Sequence, residues 1–204
     1  MTTPFLYQPV YPWRVNQPFG ANTACINLNT GKVVSCNGHR PPPGHKSVYS
    51  MMLGHNGIDA RAWRWQRCYA AAAGRVVEKQ TEPARGLGIS ILHPEWEGRF
   101  FKTSYWHLAA MDVDMGDQVS AGQLVGYCDN TGYSSGDHLH FQVKECDADG
   151  NTINKENGYL GAIDPAPLML GRPAFQAGIA RAAIETTSAF LDSISDGLRG
   201  LRTG

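Results

Sequence analysis

The 204-residue sequence contains no CxxC pair, no long apolar run and no excess of charge of either sign. Each absence removes a class of function. Cys25, Cys36, Cys68, Cys128 and Cys146 are scattered, so the paired thiolates of a zinc ribbon or of a thioredoxin-type redox site are missing. Their odd number leaves at least one thiol free, and free, half-buried thiols are the default expectation. A Cys25–Cys36 bridge would staple a hairpin whose turn falls at Asn29-Thr30-Gly31. Lys and Arg number 18 against 18 Asp and Glu, so no long-range field draws nucleic acid or an anionic surface. The longest small apolar run, residues 69 to 73, is far too short to span a bilayer. The opening MTTPFLYQPVYPWR has no basic start followed by an apolar stretch, so no secretory signal is expected.

The composition can still build a core. Hydrophobic residues make up 42% and aromatics 10% of the chain, and the length suits one domain with an appendage. Between residues 74 and 145, short runs such as GRVVEK, LGISIL, GRFFKTSYWHL and QVSAGQLVGYC alternate with Gly, Asn and Asp turns. That pattern predicts a mainly β fold, an antiparallel sheet with long loops. NGHRPPPGHKS (37 to 47) is a loop, because three consecutive prolines cannot join a ladder. HPEWEG (93 to 98) reads as a hairpin tip and TGYSSGD (131 to 137) as a cleft wall. From Pro173 the text turns helical, with Ile184, Thr187, Leu191, Ile194, Leu198 and Leu201 at heptad a and d positions. The expected organisation is an extended arm over 1–12, a β domain over 13–170 and a helical C-terminal segment over 171–204. That segment would pack on the β domain, pair with a second copy or attach to another protein.

The chemistry is concentrated in two fragments. GHNGIDAR places His55 four residues before Asp59, and GDHLHFQV places His138 and His140 two apart. On a strand, residues two apart share a face, while Leu139, Phe141 and Val143 form the opposite, apolar set. His107 closes another apolar, strand-like run, SYWHL. Imidazole and carboxylate are ordinary ligands of zinc, and three of them leave a position for water. Four histidines and an aspartate exceed what a structural metal needs, which points to a metal with a general acid/base. Spacing does not separate His138 from His140 as ligand, since an HxH pair can bind one metal with both rings. His39, His45 and His93 stand in Gly- and Pro-rich text and read as surface residues.

These residues, in this order, resemble the lysostaphin-like zinc endopeptidases that cut peptide bonds of bacterial peptidoglycan. VNQPFG, HNGID, YAAAAGRVVEK, GLGISILH, SYWHLAAMDVDMGDQVSAGQLVGYCDNTGYSSGDHLHFQV and Ile163-Asp164-Pro165 follow the family pattern over about residues 13 to 168. The resemblance implies one zinc per chain held by His55, Asp59 and His140. It implies that His107 and His138 face the bound water and the scissile peptide. Asp137 and Gln142 depart from the pattern, standing where the family usually has proline and often has glutamate. Asp137 is either an acceptor for a histidine N–H or a solvated turn residue. In the implied chemistry one histidine moves the water proton to the leaving amine. The other histidine, or a phenol such as Tyr49, donates to the oxyanion.

With no export signal, delivery is expected through a phage, as a released endolysin or a virion tail component, made in the host cytoplasm and acting on the cell wall. Expected partners are peptidoglycan peptides and, through the C-terminal segment, tail proteins or a second copy. The alternative is a non-catalytic wall-binding or structural tail component of the same fold. Such members usually lack ligands, and here none is missing.

Overall fold

The computed structural model describes residues 3–36, 38 and 40–171. His39 and the helical segment expected beyond Gly171, heptad positions included, lie outside the described residues. In chain order the strands are β1 (Leu6–Tyr7), β2 (Val15–Gln17), β3 (Ala24–Asn27), β4 (Val33–Ser35), β5 (His45–Ser47), β6 (Ile58–Arg61), β7 (Arg67–Tyr69) and β8 (Gly74–Glu82). They continue as β9 (Gly86–Leu92), β10 (Phe100–Met111), β11 (Gln118–Val119), β12 (Leu124–Cys128), β13 (His138–Cys146), β14 (Ala162–Ile163) and β15 (Met169–Gly171). The expected antiparallel β architecture is present. Its main sheet runs β11-β8-β9-β10-β13-β6-β2, with β12, β7 and β14 attached alongside.

Alternation along the central strands sorts the sheet into two faces. Phe101, Thr103 and Tyr105 of β10 share the core face with Ile89, Ile91, Leu139, Phe141 and Val143, all fully buried. Each large apolar side chain buried there contributes roughly 1.5–3 kcal/mol. The opposite face carries His138, His140, Gln142 and Lys144 of β13 beside Lys102, Ser104 and Trp106 of β10. The N-terminal residues are extended but packed: Leu6 and Val10 are fully buried, and β1 pairs in parallel with β15.

The loop expected over 37–47 stops at Gly44, since His45–Ser47 pair with β3 as β5, and two further expectations need correction. The first is the default of free thiols, because Cys25 and Cys36 form a disulfide with a Cα–Cα distance of 5.7 Å. The hairpin register explains it. Cys25 lies opposite Val34, which makes Cys36 a diagonal neighbour on the same face. The turn falls where expected, with Asn27 Oδ1 accepting the N–H groups of Asn29 and Thr30 at 3.0 Å each. Cys68, Cys128 and Cys146 are free and buried. The second is His93, which is only 3% exposed. Its Nδ1–H donates to the Ala73 carbonyl at 2.8 Å, and Nε2 lies 2.9 Å from the Thr103 hydroxyl. Thr103 pairs with the buried Tyr105 hydroxyl, which accepts from Ala71 N–H. Gly/Pro-rich neighbours gave no sign of this buried polar relay.

Candidate metal centre and cleft

His55, Asp59 and His140 reach one point from three places in the chain. His55 precedes β6, Asp59 lies within it, and β13 places His140 directly opposite Asp59. Asp59 Oδ1 is 3.1 Å from His55 Nε2 and 2.9 Å from His140 Nδ1, and those two nitrogens are 3.0 Å apart. His55 Nδ1 faces the Pro18 carbonyl at 3.2 Å. A carbonyl only accepts, so Nδ1 carries the proton and Nε2 presents a bare lone pair. Glycine is required beside this cluster: a Cβ on Gly57 would lie 2.8 Å from His140 Nε2 and 2.6 Å from the Phe141 carbonyl oxygen.

Burial alone would raise the Asp59 carboxyl, but its contacts with the His140 and His55 rings outweigh it and hold the group well below the ordinary carboxylate range. Burial lowers His140, with Asp59 opposing and His55 adding to the effect. An ionised Oδ1 and a bare Nε2 at 3.1 Å repel each other unless a cation shares them. His55, Asp59 and His140 therefore fit a metal ion, and two imidazoles with a carboxylate suit zinc.

His107 reaches the same space by a backbone irregularity. Strict alternation along β10 would send residue 107 to the core face with Tyr105. Instead the pairing with β9 steps from Trp106–Gly88 to Leu108–Leu87, leaving His107 as the extra residue of a bulge. Its φ of +64° is left-handed, a conformation L-residues avoid. The bulge returns Leu108 to the core and turns His107 to the cleft, its ring 4.6 Å from that of His138 and 6.1 Å from that of His140.

Backbone carbonyls also fix the tautomers of His107 and His138. His107 Nδ1–H donates to Thr131 at 2.6 Å, and His138 Nδ1–H donates to Gly136 at 2.8 Å. Both rings therefore offer a bare Nε2 when neutral. Burial, aided by the neighbouring histidines and opposed by the Thr131 bond, pushes His107 down to about 4, so it is neutral at pH 7. His138 Nε2 lies 3.6 Å from Asp59 Oδ1, and His138 stands outside the tight His55–Asp59–His140 group.

The cleft around these residues has a volume of about 480 Å³ and is walled by Tyr49, Arg85, Tyr133, Ser134 and Lys144 among others. Tyr133 and Ser134 belong to the segment read as a cleft wall. The Tyr49 hydroxyl accepts from Gln17 Nε2, which leaves its own proton to give. Burial raises its pKa, with Asp59 adding and Gln17 opposing, so the phenol stays protonated. Asp137 resolves its two readings: its half-buried carboxylate accepts Arg64 N–H at 3.1 Å, bracing a turn. Gln142 donates from Nε2 to the Asn56 carbonyl at 3.0 Å, tying down the loop after His55. A glutamate there could not make that bond. Thr131, Gln17, Arg85 and Lys144 were not singled out from sequence, where a lone polar residue on a strand or turn carries no distinguishing sign.

The sequence model of Peptidase family M23 matches residues 53–155, half of the chain, and spans all five residues of this cluster. The chain belongs to peptidase family M23. The glycyl-glycine endopeptidase ALE-1 of Staphylococcus capitis is 36% identical over 106 residues, 49% of this chain and 25% of that protein. The peptidoglycan DD-endopeptidase ShyA of Vibrio cholerae is 35% identical over 89 residues, 44% of this chain and 20% of that protein. The M23 chain thus spans a quarter or less of the length of these relatives. Among solved structures, LytU is 27% identical with a TM-score of 0.51, covering 76% of this chain and 83% of that one. The catalytic domain of lysostaphin from Staphylococcus simulans shares the fold, with a TM-score of 0.53 at 24% identity over 76% of this chain and 90% of that domain.

Proposed function

We propose that this M23 chain is a zinc-dependent endopeptidase that hydrolyses peptide bonds of bacterial peptidoglycan, with one zinc per chain. The observation that carries the reading is a division of labour in the cleft. Three donor atoms crowd within 3.1 Å of one another, and beside them stand two imidazoles whose Nδ1–H groups are held by backbone carbonyls. In this reading His55, Asp59 and His140 hold the metal. Zinc bound there supplies Lewis acidity toward a peptide carbonyl and toward water. His107 or His138 accepts the water proton at Nε2 and, as imidazolium, delivers it to the leaving amine nitrogen. The second imidazole orients the reacting groups. Because both tautomers are fixed as acceptors, the neutral donor for the developing oxyanion is the Tyr49 hydroxyl. The names of ShyA, a peptidoglycan DD-endopeptidase, and ALE-1, a glycyl-glycine endopeptidase, support the substrate class.

We also propose delivery by a phage, as a released endolysin or a virion tail component. Mass spectrometry of purified virions separates a tail component from a released endolysin, and detection in neither sinks the route.

Metal content and activity measured on the same variants test the enzymatic reading. His140→Ala should lose zinc and cleavage together. His107→Ala and His138→Ala should keep about one zinc per chain and lose roughly 10²-fold or more in rate, the usual size of a general acid/base contribution. Release of zinc by His138→Ala would overturn the assignment of ligands.

A further inference from the structure

The cleft floor lies on one face of two paired strands, and that face carries a cation toward each end, Lys144 in the cleft and Arg61 in a neighbouring cavity. On β13 that face reads His138, His140, Gln142, Lys144; on β6 it reads Asp59, Arg61, with Arg61 directly opposite His138. Lys144 thus stands beyond His140 at one end and Arg61 beyond Asp59 at the other. Arg61, with Pro12, Arg14 and Trp63, lines a separate cavity of about 250 Å³.

These cations are uncommitted. Arginine ion pairs among the described residues are Arg64–Asp129, Arg85–Glu82 and Arg99–Glu145, and lysine ion pairs are Lys79–Asp114 and Lys102–Glu78. Neither Arg14, Arg61 nor Lys144 is among them. Glu78 is the carboxylate nearest in effect to Lys144, but it is held by Lys102 at 2.6 Å, so one positive charge remains over. Arg85 adds no acceptor, since its guanidinium pairs with Glu82 and lies 4.3 Å over the Trp106 ring. Burial, with Arg85 and Lys102 nearby, lowers Lys144 to about 8. A bound anion would relieve that strain. Trp63, 58% exposed, adds a flat apolar surface beside Arg14 and Arg61.

We propose that this cleft selects peptide cross-links bearing free carboxylates on both sides of the scissile bond, over neutral glycine-type bridges. Lys144 binds one carboxylate and Arg61, with Arg14, the other. Strand residues rise about 3.3 Å each, so the carboxylate at Arg61 lies roughly two residues from the metal centre and that at Lys144 roughly four. A glycine bridge offers only amides and would leave half-buried Lys144 unpaired. This specificity rests on the endopeptidase reading, deepening it.

The test uses the zinc-loaded full chain and matched cross-linked stem-peptide dimers, one with free carboxylates and one with those carboxylates amidated. Both cleavage and binding of fluorescently labelled dimers are followed. For the unaltered chain, kcat/KM should favour the free acid roughly tenfold or more, as for loss of a hydrogen bond to a charged group. In the Lys144→Gln/Arg61→Gln double variant the ratio should fall to near one, while Lys144→Arg should retain it. The ratio is taken within each variant, so a general loss of folded protein cancels. Equal rates on both dimers, or a preference surviving in the double variant, would overturn the proposal. If neither dimer is cleaved, the endopeptidase reading fails, and the binding ratio alone then decides: tenfold tighter free acid upholds the selection and equal binding refutes it.

Discussion

His107 supplies a sharp test of how this fold aims a side chain. Its φ of +64° puts an L-residue in the left-handed region, at a cost of roughly 1–2 kcal/mol. The site accepts that strain because the bulge turns the imidazole from the core to the cleft. Truncation to alanine keeps the strain and removes both the buried ring and its 2.6 Å bond to Thr131, a bond worth roughly 0.5–1.5 kcal/mol. Truncation to glycine loses the same contacts but removes the strain. Glycine inside a strand normally costs roughly 0.5–1 kcal/mol relative to alanine. Here the order should invert, with His107→Gly the more stable of the pair by roughly 1 kcal/mol. Urea denaturation of both variants, with chelator present so that metal binding does not enter, reads this as a higher midpoint at equal slope. Peptide cleavage should fall at least 10²-fold in both, since neither has the ring. A His107→Ala variant as stable as His107→Gly would show that the bulge stores no strain and that the argument for its purpose is wrong.

Two further outcomes follow from neighbouring geometry. Gly57→Ala would place a methyl 2.6 Å from the Phe141 carbonyl and 2.8 Å from His140 Nε2, so zinc affinity should drop at least tenfold while circular dichroism keeps a β signature. Unchanged affinity, measured by competition with a chromophoric chelator, would mean that the cradle is looser than described. Burial, opposed by the Ala73 bond, pushes His93 from 6.5 down to about 4. The unfolded chain then takes up this proton first, so the stabilising contribution is full above pH 6.5 and is lost as pH falls toward 4. The difference of about 2.5 units corresponds to about 3 kcal/mol. His93→Gln should flatten the stability profile across that window, and an unchanged slope would exclude His93 as its source.

The parts of this molecule that obey strand periodicity were legible in the sequence. HLHFQV alone assigned the histidines to one face and Leu139, Phe141 and Val143 to the other, and β13 shows that division. The convergence of His55, Asp59 and His140 followed from their fragments and the family resemblance. What stayed hidden depends on broken periodicity or on tertiary partners. The bulge at His107 leaves no mark in SYWHL, because histidine is not a residue that announces a left-handed backbone. His93 was misplaced because its partners, Ala73 and Thr103, are 20 and 10 residues away. The tautomers of His107 and His138 depend on carbonyls of Thr131 and Gly136, and a carbonyl is common to every residue type. The cations toward the two ends of the histidine face became visible only when the β6–β13 register placed Arg61 opposite His138.

The central claim is that these residues hydrolyse peptide bonds of the wall, and one digestion addresses it directly. Purified sacculi are incubated with the zinc-loaded chain and, in parallel, with His140→Ala, and the soluble products are identified by mass spectrometry. The account requires fragments with newly exposed amines and carboxylates at a peptide bond of the stem or cross-link, glycan chains left intact, and no release by the variant. Products cleaved between sugars, or equal release by His140→Ala, would contradict it.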